Sequence, residues 1–463
     1  MSEARTPKQD ETDRVLGFYG LSDDLVRQVH DALEDERSDE AVDLVEPLHA
    51  ADTADLLERL PGIQRDALVE SLGPALEAET FIHLDDAVRE DIVENIDNAV
   101  LATVICELES DDAVDFIECL ESSDRQEILD AIPEQERVLL EDSLSYPEDS
   151  AGRLMRRESA NIPSYWTVGQ TIDHMRSDVE MPNDFYLLMV VGPTHEPLGV
   201  VPLSRLLRST RPTDISEIMD TDIRRIPATM DQEDVAFLFR QYGLVSAPVV
   251  DESGRLVGAI DVDDIVHVID EEAEEDLLKL GGVREDDFYE AVIGTIRSRF
   301  SWLLVNLMTA VFASIVIGFF DAAIEKVVAL AILMPIVASM GGNAGTQTLT
   351  VAVRALAVKE LTATNALRIV GKETLVGGIN GVIFAVLIGG IASLWFDDPT
   401  IGGIIGLAMI VNLLLAGLAG TVIPLAPDRW GVDPAVGSTV VLTTVTDVVG
   451  FLSFLGLAAM VFL

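Results

Sequence analysis

The spacing of apolar and polar residues divides the chain into three parts. From residue 21 to about residue 146, apolar residues recur at steps of three and four, which is typical of amphipathic helices. From residue 151 short apolar runs of β type alternate with short helical stretches. After Arg299 five apolar segments follow, each close to or above the roughly 20 residues that cross a bilayer as a helix. The pattern predicts a multidomain chain with an all-α part, an α/β part and an α-helical membrane part.

The first part is expected to be a helical-repeat domain over residues 21–146. Two of its stretches, 52–60 and 111–120, are variants of one sequence motif. Each begins with acidic residues, which suit the positive end of a helix dipole. Short helices that end near proline and glycine favour a superhelix of repeats. The start of the chain is polar and has no apolar stretch typical of a signal peptide, so we expect a disordered, cytosolic N-terminus at 1–20.

The second part, residues 147–272, contains an internal repeat. The motif GRLM at 152–155 is answered by SEIM at 216–219, and apolar runs separated by helical stretches follow both. Two β-α-β-β-α units in tandem, at about 151–209 and 215–272, are therefore expected.

The five apolar segments are predicted membrane spans of a domain at 300–463, and a helix at 273–299 is expected to connect them to the preceding part. Basic residues fall mainly on the side of the N-terminal half and acidic residues on the other side, which obeys the positive-inside rule. We expect a multi-pass protein of the inner membrane. With the N-terminal domains in the cytosol, five spans place the C-terminus outside. The predicted spans are 301–320, 328–353, 373–396, 401–427 and 436–462.

Negative charge is concentrated in the first 300 residues. They carry −46 of the net charge of −49, and 26 of the 31 basic residues of the chain are arginine. Such a polyanion repels nucleic acid and anionic lipid surfaces, which excludes nucleic acid as a partner. Two interpretations of the acidic surface stay open: a halophilic adaptation to a cytosol of high salt, where screening removes self-repulsion, and local binding of divalent cations.

Asp447 is the ionisable residue of the fifth predicted span and lies near its middle. An ionised carboxylate at this depth is costly unless it faces water or a cation, so a functional role is expected. Thr443, Thr444 and Gly450 lie three or four residues away, which makes one helix face polar and narrow. The alternative is a protonated aspartate bonded to a neighbouring helix.

The second predicted span contains Pro335 and three glycines within the stretch 334–347. These residues weaken a membrane helix and can free backbone carbonyls, which is tolerated where the chain lines a watery path. Close helix packing through small residues is the alternative. The residues expected to line a pore are Gly341, Gly342, Asn343, Gly345, Thr439, Thr443 and Thr444.

The available ligands suit a hard cation. Carboxylate, hydroxyl and carbonyl oxygens are present in the spans, and a cluster of His, Cys or Met for soft metals is not. Magnesium loses its water reluctantly, so a small number of carboxylates binding the hydrated ion is the expected design. One aspartate per chain is few, and a symmetric homodimer would double it. The expected partners are a second copy of the chain and membrane lipid, and no other protein partner is implied.

The sequence SAPVVDESGRLVGAID at 246–261 resembles the second half of a CBS domain, and residues 151–272 resemble a CBS pair. Such pairs are regulatory modules that often bind adenine nucleotides between their halves. The resemblance makes Gly199, Gly258 and Asp261 candidates for a cleft that binds ATP or a relative.

The whole domain order resembles the MgtE family of magnesium channels. The most specific stretches are YPEDSAGRLM (146–155), MGGNAGTQ (340–347), RALA (354–357), VDPA (432–435) and TDVVG (446–450). The resemblance implies a homodimeric pore whose ion site is formed by Asp447. It also implies that cytosolic magnesium closes the channel when bound at regulatory ligands, which are Asp264, Glu272, Glu275 and Asp276.

Two positions depart from the family pattern. His267 stands where the family has an acidic residue, so the departure affects the regulatory magnesium site at that position. Thr439 stands where the family usually has asparagine in the fifth span, and this departure bears on how the pore coordinates the ion and which ion it selects.

The sequence therefore predicts a channel or transporter for Mg²⁺ influx and not an enzyme. A carrier or exchanger for another divalent cation, such as Co²⁺ or Mn²⁺, stays open beside it. An intramembrane aspartyl hydrolase would need two carboxylates at one site, and each chain supplies one. A nucleotide-sensing membrane protein that moves nothing would leave Asp447 without a purpose.

Overall fold

The structure, a computed structural model, describes residues 20–463 except 121, 178–180, 183–184, 284–291, 363, 429–432 and 434–436. The chain forms two compact units, Met1–Glu271 and Glu272–Leu463. The N-terminus predicted to be disordered lies outside the described residues apart from Gly20, and so do residues 284–291 of the predicted connecting helix.

The N-terminal part of the first unit is all α-helical, as the sequence predicts. Asp85 caps one helix by accepting the backbone N–H of Ala87, which satisfies a donor that every helix start leaves unpaired. Phe81 and Phe116 are buried in its core and meet edge to face, with ring centroids 5.6 Å apart. The α-helices described in this part are α1 (Asp23–Glu34), α2 (Ser38–Val45), α3 (Ala50–Arg59), α4 (Gly62–Leu72), α5 (Asp86–Val93), α6 (Asn98–Glu107), α7 (Ser110–Glu118), α8 (Ser122–Ala131) and α9 (Glu134–Leu144).

Two copies of one α/β unit follow, which confirms the α/β pair that the sequence predicts. In each copy the first strand pairs parallel with the second, and the second pairs antiparallel with the third. The ladder is irregular at the same place in both, between Val190 and Val191 and between Val249 and Val250. The elements are α10 (Ala151–Leu154), β1 (Asn161–Pro163), α11 (Val168–Met175), β2 (Leu187–Val191), β3 (Pro197–Pro202), α12 (Leu203–Arg208), α13 (Ile215–Ile218), β4 (Ile226–Pro227), α14 (Gln232–Tyr242), β5 (Ser246–Val250) and β6 (Leu256–Asp261).

The leading segment of each copy packs against the other copy. Arg156, in the leading segment of the first copy, exchanges backbone hydrogen bonds of 2.8 and 2.9 Å with Ala259 of the second. Asp220, in the leading segment of the second copy, exchanges bonds of 2.8 and 2.9 Å with Val200 of the first. The cores follow the same exchange, because Met155 is buried among residues of the second copy. The two copies are therefore interlocked.

Among its described residues, the second unit contains five helices that are long and apolar enough to cross a membrane, as the sequence predicts. The first and third begin earlier than predicted, at 292 rather than 301 and at 366 rather than 373, because polar residues that end an apolar run do not end a helix. Helix α15 (Val262–Gly281) begins in the first unit and ends in the second. The remaining helices are α16 (Val292–Gly318), the short α17 (Asp321–Lys326), α18 (Ala329–Ala357), α19 (Ala366–Phe396), α20 (Pro399–Asp428) and α21 (Ser438–Phe462).

The predicted connecting helix differs from the structure at both ends. Helix α15 begins at Val262 rather than at 273, directly after strand β6, and it ends at Gly281 rather than near 299. Gly282 has a left-handed backbone (φ +69°), which stops a helix and which glycine adopts without strain. The glycine pair therefore decides where the helix ends.

Helices α19 and α20 pack closely through glycines. A methyl group added at Gly381 would lie 3.0 Å from the Ile410 Cα, and one added at Gly389 would lie 2.9 Å from the Gly402 carbonyl oxygen. Because lipid gives apolar side chains little reason to associate, small residues that let two backbones approach are a main source of helix contact in membranes.

Candidate functional site

The Asp447 side chain lies half-buried on α21. In the part of the chain that the structure describes, its carboxylate makes no hydrogen bond and no ion pair. The neighbouring Thr443 and Thr444 hydroxyls donate to backbone carbonyls of their own helix, at 3.0 and 2.6 Å. The predicted alternative, an aspartate bonded to a neighbouring helix, is therefore not what these residues form.

Thr439, Thr443 and Asp447 occupy one face of α21 at steps of four residues, and all three are half-buried. At 1.5 Å of rise per residue, Thr439 lies about 12 Å along the axis from Asp447. The Thr439 hydroxyl donates to the Leu280 carbonyl oxygen, 3.0 Å away, in the last turn of α15.

The predicted break in the second span is absent, since α18 is helical throughout the stretch 334–347. Gly341 and Gly345 are buried, and a methyl group at Gly345 would lie 3.0 Å from the Leu442 side chain. A methyl group at Gly341 would overlap the side chain of Asn412. These two glycines serve close packing, the alternative stated above, and the helix needs no break to provide it.

The candidate pore residues of α18 therefore lie on two faces. Gly341 and Gly345 face other helices of the unit, whereas Asn343 is exposed and Gly342 has open space where a side chain would lie. The candidates do not form one surface within a single chain.

The exposed face of α18 is polar, which the sequence analysis missed. Exposed polar residues recur there at steps of three and four: Ser339, Asn343, Thr346, Gln347 and Thr350. Their spacing was visible in the sequence and would have shown a polar stripe on one helix face. Polar side chains of a membrane helix require water or protein beside them.

Asn412, on α20, is a second residue that the sequence analysis missed. It is fully buried, and its Nδ2 donates to the Val337 carbonyl oxygen of α18 at 2.8 Å. Its Oδ1 is buried without a hydrogen-bond partner among the described residues. A methyl group at Gly450 of α21 would lie 2.9 Å from Asn412 Nδ2. Asn412 thus stands where α18, α20 and α21 meet, beside Gly450, which lies three residues after Asp447.

The regulatory candidates of the second unit lie in the last turns of α15. The Lys279 ammonium pairs with Glu275 and, at 2.8 Å, with Oδ2 of Asp433. Burial, followed by the charge of Asp433, raises the pKa of Asp276 above its usual value. A carboxyl with a raised pKa beside other carboxylates favours a cation as neighbour.

Asp264, in the first unit, lies in a cluster of acids around Arg156. The guanidinium reaches Oε2 of Glu109 at 2.7 Å, Oδ2 of Asp111 at 3.0 Å and Oδ1 of Asp264 at 2.8 Å. Burial raises the pKa of Asp264 to about 7, with a further contribution from Asp111 and an opposing one from Arg156. Burial likewise raises the pKa of Asp112 to about 8. The buried Oδ1 of Asp111 has no hydrogen-bond partner among the described residues.

His267 faces another histidine of the first unit. Its ring centroid lies 6.4 Å from that of His83, in the helical domain. Burial, and next the neighbouring His267, lower the pKa of His83 below its usual value. The departure from an acidic residue at position 267 therefore places an imidazole pair where a carboxylate was expected.

Asp261 lies in a cleft of the first unit. The cleft is lined by residues of both α/β copies and of the helical domain: Glu109, Arg156, Glu158, Ser159, Ala160, Pro182, Phe185, Tyr186, Leu187, Met189, Ser246, Ala259 and Asp261. Burial raises the pKa of Asp261, and a hydrogen bond from Ser246 opposes that shift.

Gly199 and Gly258 do not line this cleft; they lie beside the interlocked segments. A methyl group at Gly258 would lie 2.6 Å from the Arg156 carbonyl oxygen, and one at Gly199 would lie 2.5 Å from that of Asp220. Glycine is required at both positions by the approach of these backbones.

Comparison with known proteins agrees with this architecture. The MgtE family model, described as a divalent cation transporter, matches residues 334–457. The model of the MgtE intracellular N domain matches residues 48–149, and the CBS domain model matches residues 215–271.

Two curated relatives cover most of the chain. The magnesium transporter MgtE of Bacillus subtilis is 31% identical over 317 residues, which are 68% of this chain and 70% of that protein. The magnesium transporter MgtE of Thermus thermophilus is 33% identical over 325 residues, 70% of this chain and 72% of that protein.

Two solved structures are similar to about half of the chain. The cytosolic domain of the Mg²⁺ channel MgtE in complex with ATP is 28% identical with a TM-score of 0.49, and covers 52% of this chain and 99% of its own. The soluble part of a magnesium transporter is 26% identical with a TM-score of 0.47, and covers 54% of this chain and 98% of its own.

Proposed function

This chain belongs to the MgtE family of magnesium transporters, and from that premise we propose that it is a homodimeric channel for Mg²⁺ influx with its ion site at Asp447. The observation that carries the proposal is the half-buried carboxylate of Asp447 in the middle of a membrane helix, which has no partner among the described residues. A carboxylate held at this depth without such a partner requires water or a cation.

The ligand chemistry favours magnesium. The helix face of Asp447 also carries the threonine oxygens of position 443, one turn away, and of position 439, two turns away, which are hard ligands along one path. Magnesium keeps most of its water, so one carboxylate and a few hydroxyl groups around a hydrated ion suffice.

The polar face of α18 supports a pore that two copies share. The exposed residues from Ser339 to Thr350 would leave polar groups in lipid if the chain were alone. A second copy related by a twofold axis would supply protein and water beside them and would bring two Asp447 carboxylates to one path. In this arrangement the protein lies in the inner membrane, with its N-terminal domains in the cytosol and its C-terminus outside.

Cytosolic magnesium is the proposed closing signal. The acidic candidates Glu272, Glu275 and Asp276 lie on α15, the helix that leads to the membrane helices, and Asp264 lies on its first turn. Because like charges repel and a divalent cation bridges them, bound Mg²⁺ would hold α15 in place and its loss would release α15.

The cleft at Asp261 is proposed to bind an adenine nucleotide as its magnesium complex. The apolar side chains of Phe185, Leu187 and Met189 suit a base, and Asp261 suits a ribose hydroxyl. The cleft also contains Glu109 and Glu158, and the charge of Arg156 is already shared among carboxylates. A free triphosphate would be repelled, whereas bound Mg²⁺ cancels part of its negative charge and weakens that repulsion. Calorimetry with ATP in the presence and absence of Mg²⁺ tests this preference.

Uptake into proteoliposomes tests the main proposal. Asp447→Asn is expected to abolish Mg²⁺ uptake while the purified protein stays folded and dimeric. Asp397→Asn is the matched control, because Asp397 is exposed at the end of α19 and asparagine tolerates its left-handed backbone equally well. Near-normal uptake by Asp447→Asn would refute the site. Uptake of Co²⁺ or Mn²⁺ in preference to Mg²⁺ would make the chain a transporter for another divalent cation.

A further inference from the structure

The C-terminal end of α15 is terminated by backbone hydrogen bonds. The N–H of Gly282 donates to the Lys279 carbonyl and the N–H of Val283 donates to the Leu278 carbonyl, both at 3.1 Å. This is a Schellman arrangement, which satisfies two of the carbonyls that a helix end leaves unpaired. The Leu280 carbonyl is left over by this arrangement.

Membrane helices hold this helix end from several sides. The ring of Trp302, on α16, lies against Gly282, where any side chain would overlap it. Leu280 packs against the apolar cluster around Leu349 and Leu442. The Leu280 carbonyl accepts the hydroxyl of Thr439 at 3.0 Å. The last turn of α15 is therefore seated on α16, α18 and α21.

Thr439 differs from the other threonines of α21. The hydroxyls of Thr443, Thr444 and Thr446 donate to carbonyls of their own helix, three or four residues earlier. Thr439 lies in the first turn, immediately after Ser438, so its hydroxyl has no carbonyl of α21 behind it to bond. Its single donor is free to bond another segment, and the structure places it on α15.

We propose that Thr439 is a positioning residue that switches between two partners. When α15 is seated, the Thr439 hydroxyl caps the Leu280 carbonyl and is withdrawn from the polar face of α21. When α15 leaves, the same hydroxyl joins Thr443 and Asp447 on that face and contacts the water shell of the passing ion. One side chain thus couples the position of the connecting helix to the ion path.

The switching role rests on the proposed function, because it assumes that α15 is seated when internal magnesium is high. Its physical basis is independent of that assumption. One neutral hydrogen bond is worth about two- to tenfold in an equilibrium constant. Removal of the Thr439 hydroxyl should change the seated population by about this factor and leave the apolar contacts of Leu280 in place.

The test compares Thr439→Val, which removes the hydroxyl at nearly constant volume, with Thr439→Ser, which keeps it. Thr374→Val is the control, because the Thr374 hydroxyl donates to the Val370 carbonyl of its own helix at 2.7 Å. Two quantities are measured on the full-length protein in lipid: amide hydrogen exchange of the segment 278–283, and the internal Mg²⁺ concentration that halves uptake.

Thr439→Val is expected to speed exchange of the segment and to raise the half-inhibiting Mg²⁺ concentration about two- to tenfold. Thr439→Ser and Thr374→Val are expected to match the unchanged protein. Unchanged exchange in Thr439→Val would overturn the capping contact. Faster exchange with unchanged inhibition would overturn the switch. If the unchanged protein is not inhibited by internal Mg²⁺ at all, the gating part of the proposed function fails and the switch fails with it, while the exchange result still decides whether the cap exists.

Discussion

Arg156 and Asp264 form an ion pair in which Nη2 lies 2.8 Å from Oδ1. The same guanidinium binds Glu109 and Asp111 of the helical domain, so it joins that domain to the CBS pair. The cluster around Asp264 therefore contains a cation that belongs to the chain, and magnesium removal does not remove it.

Arg156→Ala is expected to lower the free energy of unfolding of the first unit by about 3–5 kcal/mol, because buried carboxylates lose their cation. Millimolar Mg²⁺ should recover part of the loss by replacing the missing charge. Urea unfolding with and without Mg²⁺ measures both effects.

Arg224→Ala is the control for Arg156→Ala, since the Arg224 guanidinium lies over the ring of Tyr242 with 4.5 Å to the centroid and is exposed. Its loss is expected to cost less than about 1 kcal/mol, with no dependence on Mg²⁺. An equal effect of the two substitutions would contradict the role given to Arg156.

Asn412→Leu is expected to lower Mg²⁺ uptake and to leave stability nearly unchanged. The substitution removes the hydrogen bond that holds α18 at Val337, and it also removes a buried acceptor without a partner, which costs about 1–3 kcal/mol in the native protein. Loss of the hydrogen bond lowers the stability, and removal of the unpaired acceptor raises it, so the two effects nearly cancel. Only the loss of the hydrogen bond changes the position of α18. Uptake and thermal unfolding are measured together.

Asn306→Leu controls for the loss of an amide, because Asn306 Nδ2 donates to the Trp302 carbonyl of its own helix at 3.0 Å. It should retain uptake. Loss of stability in parallel with uptake for Asn412→Leu would show that Asn412 only supports folding.

His83 is expected to contribute a stability to the first unit that is lost as the pH falls below about 6.5. Asp264 and Asp112 contribute in the opposite direction, because burial raises their pKa values to about 7 and about 8. Burial lowers the pKa of His83, and the charges of His267 and His49 lower it further. The negative charges of Glu79 and Asp55 oppose this lowering. Because the folded form of His83 binds protons less readily than the unfolded form, the contribution of His83 to stability rises with pH across this window. His83→Gln should remove this contribution and change the pH dependence of the free energy of unfolding, as measured by urea unfolding at pH values on both sides of about 6.5. A dependence of the same size in this variant would assign the effect to other groups.

Gly258→Ala is expected to destabilise the CBS pair by about 1–3 kcal/mol, because the added methyl group would meet the Arg156 backbone. Gly62→Ala is the matched control. It lies at the start of a helix with its nearest neighbour at 4.0 Å, so it should be neutral or slightly stabilising. Thermal unfolding distinguishes the two, and equal melting temperatures would contradict the close approach.

Periodicity in the sequence was sufficient to predict the helices and strands. It was not sufficient to predict several of the contacts between them. Five apolar runs predicted five membrane helices, and the repeated motif at 152–155 and 216–219 predicted two α/β copies. The role of Arg156 was not visible, because its acidic partners come from positions near 110 and near 264 and meet only in the folded chain.

The helical state of α18 was also not visible in its sequence. Pro335 and the glycines weaken an isolated helix, but packing against Asn412 and Leu442 stabilises this one. Tertiary contacts overrode local propensity there. The asparagine at 412 was a usable signal, since it stands alone in an apolar run from 401 to 416.

The interlocking of the two CBS copies has a consequence for synthesis of the protein. A ribosome delivers the segment at Met155 and Arg156 long before it delivers Ala259, with which Arg156 pairs. The first copy emerges with its leading segment unable to find a partner, and the second copy must leave the exit tunnel before either core is complete. Both copies should therefore acquire their final structure together, when the following membrane helices are already being made. Nascent chains arrested before residue 260 should be digested by protease in this region, and chains arrested well beyond it should resist.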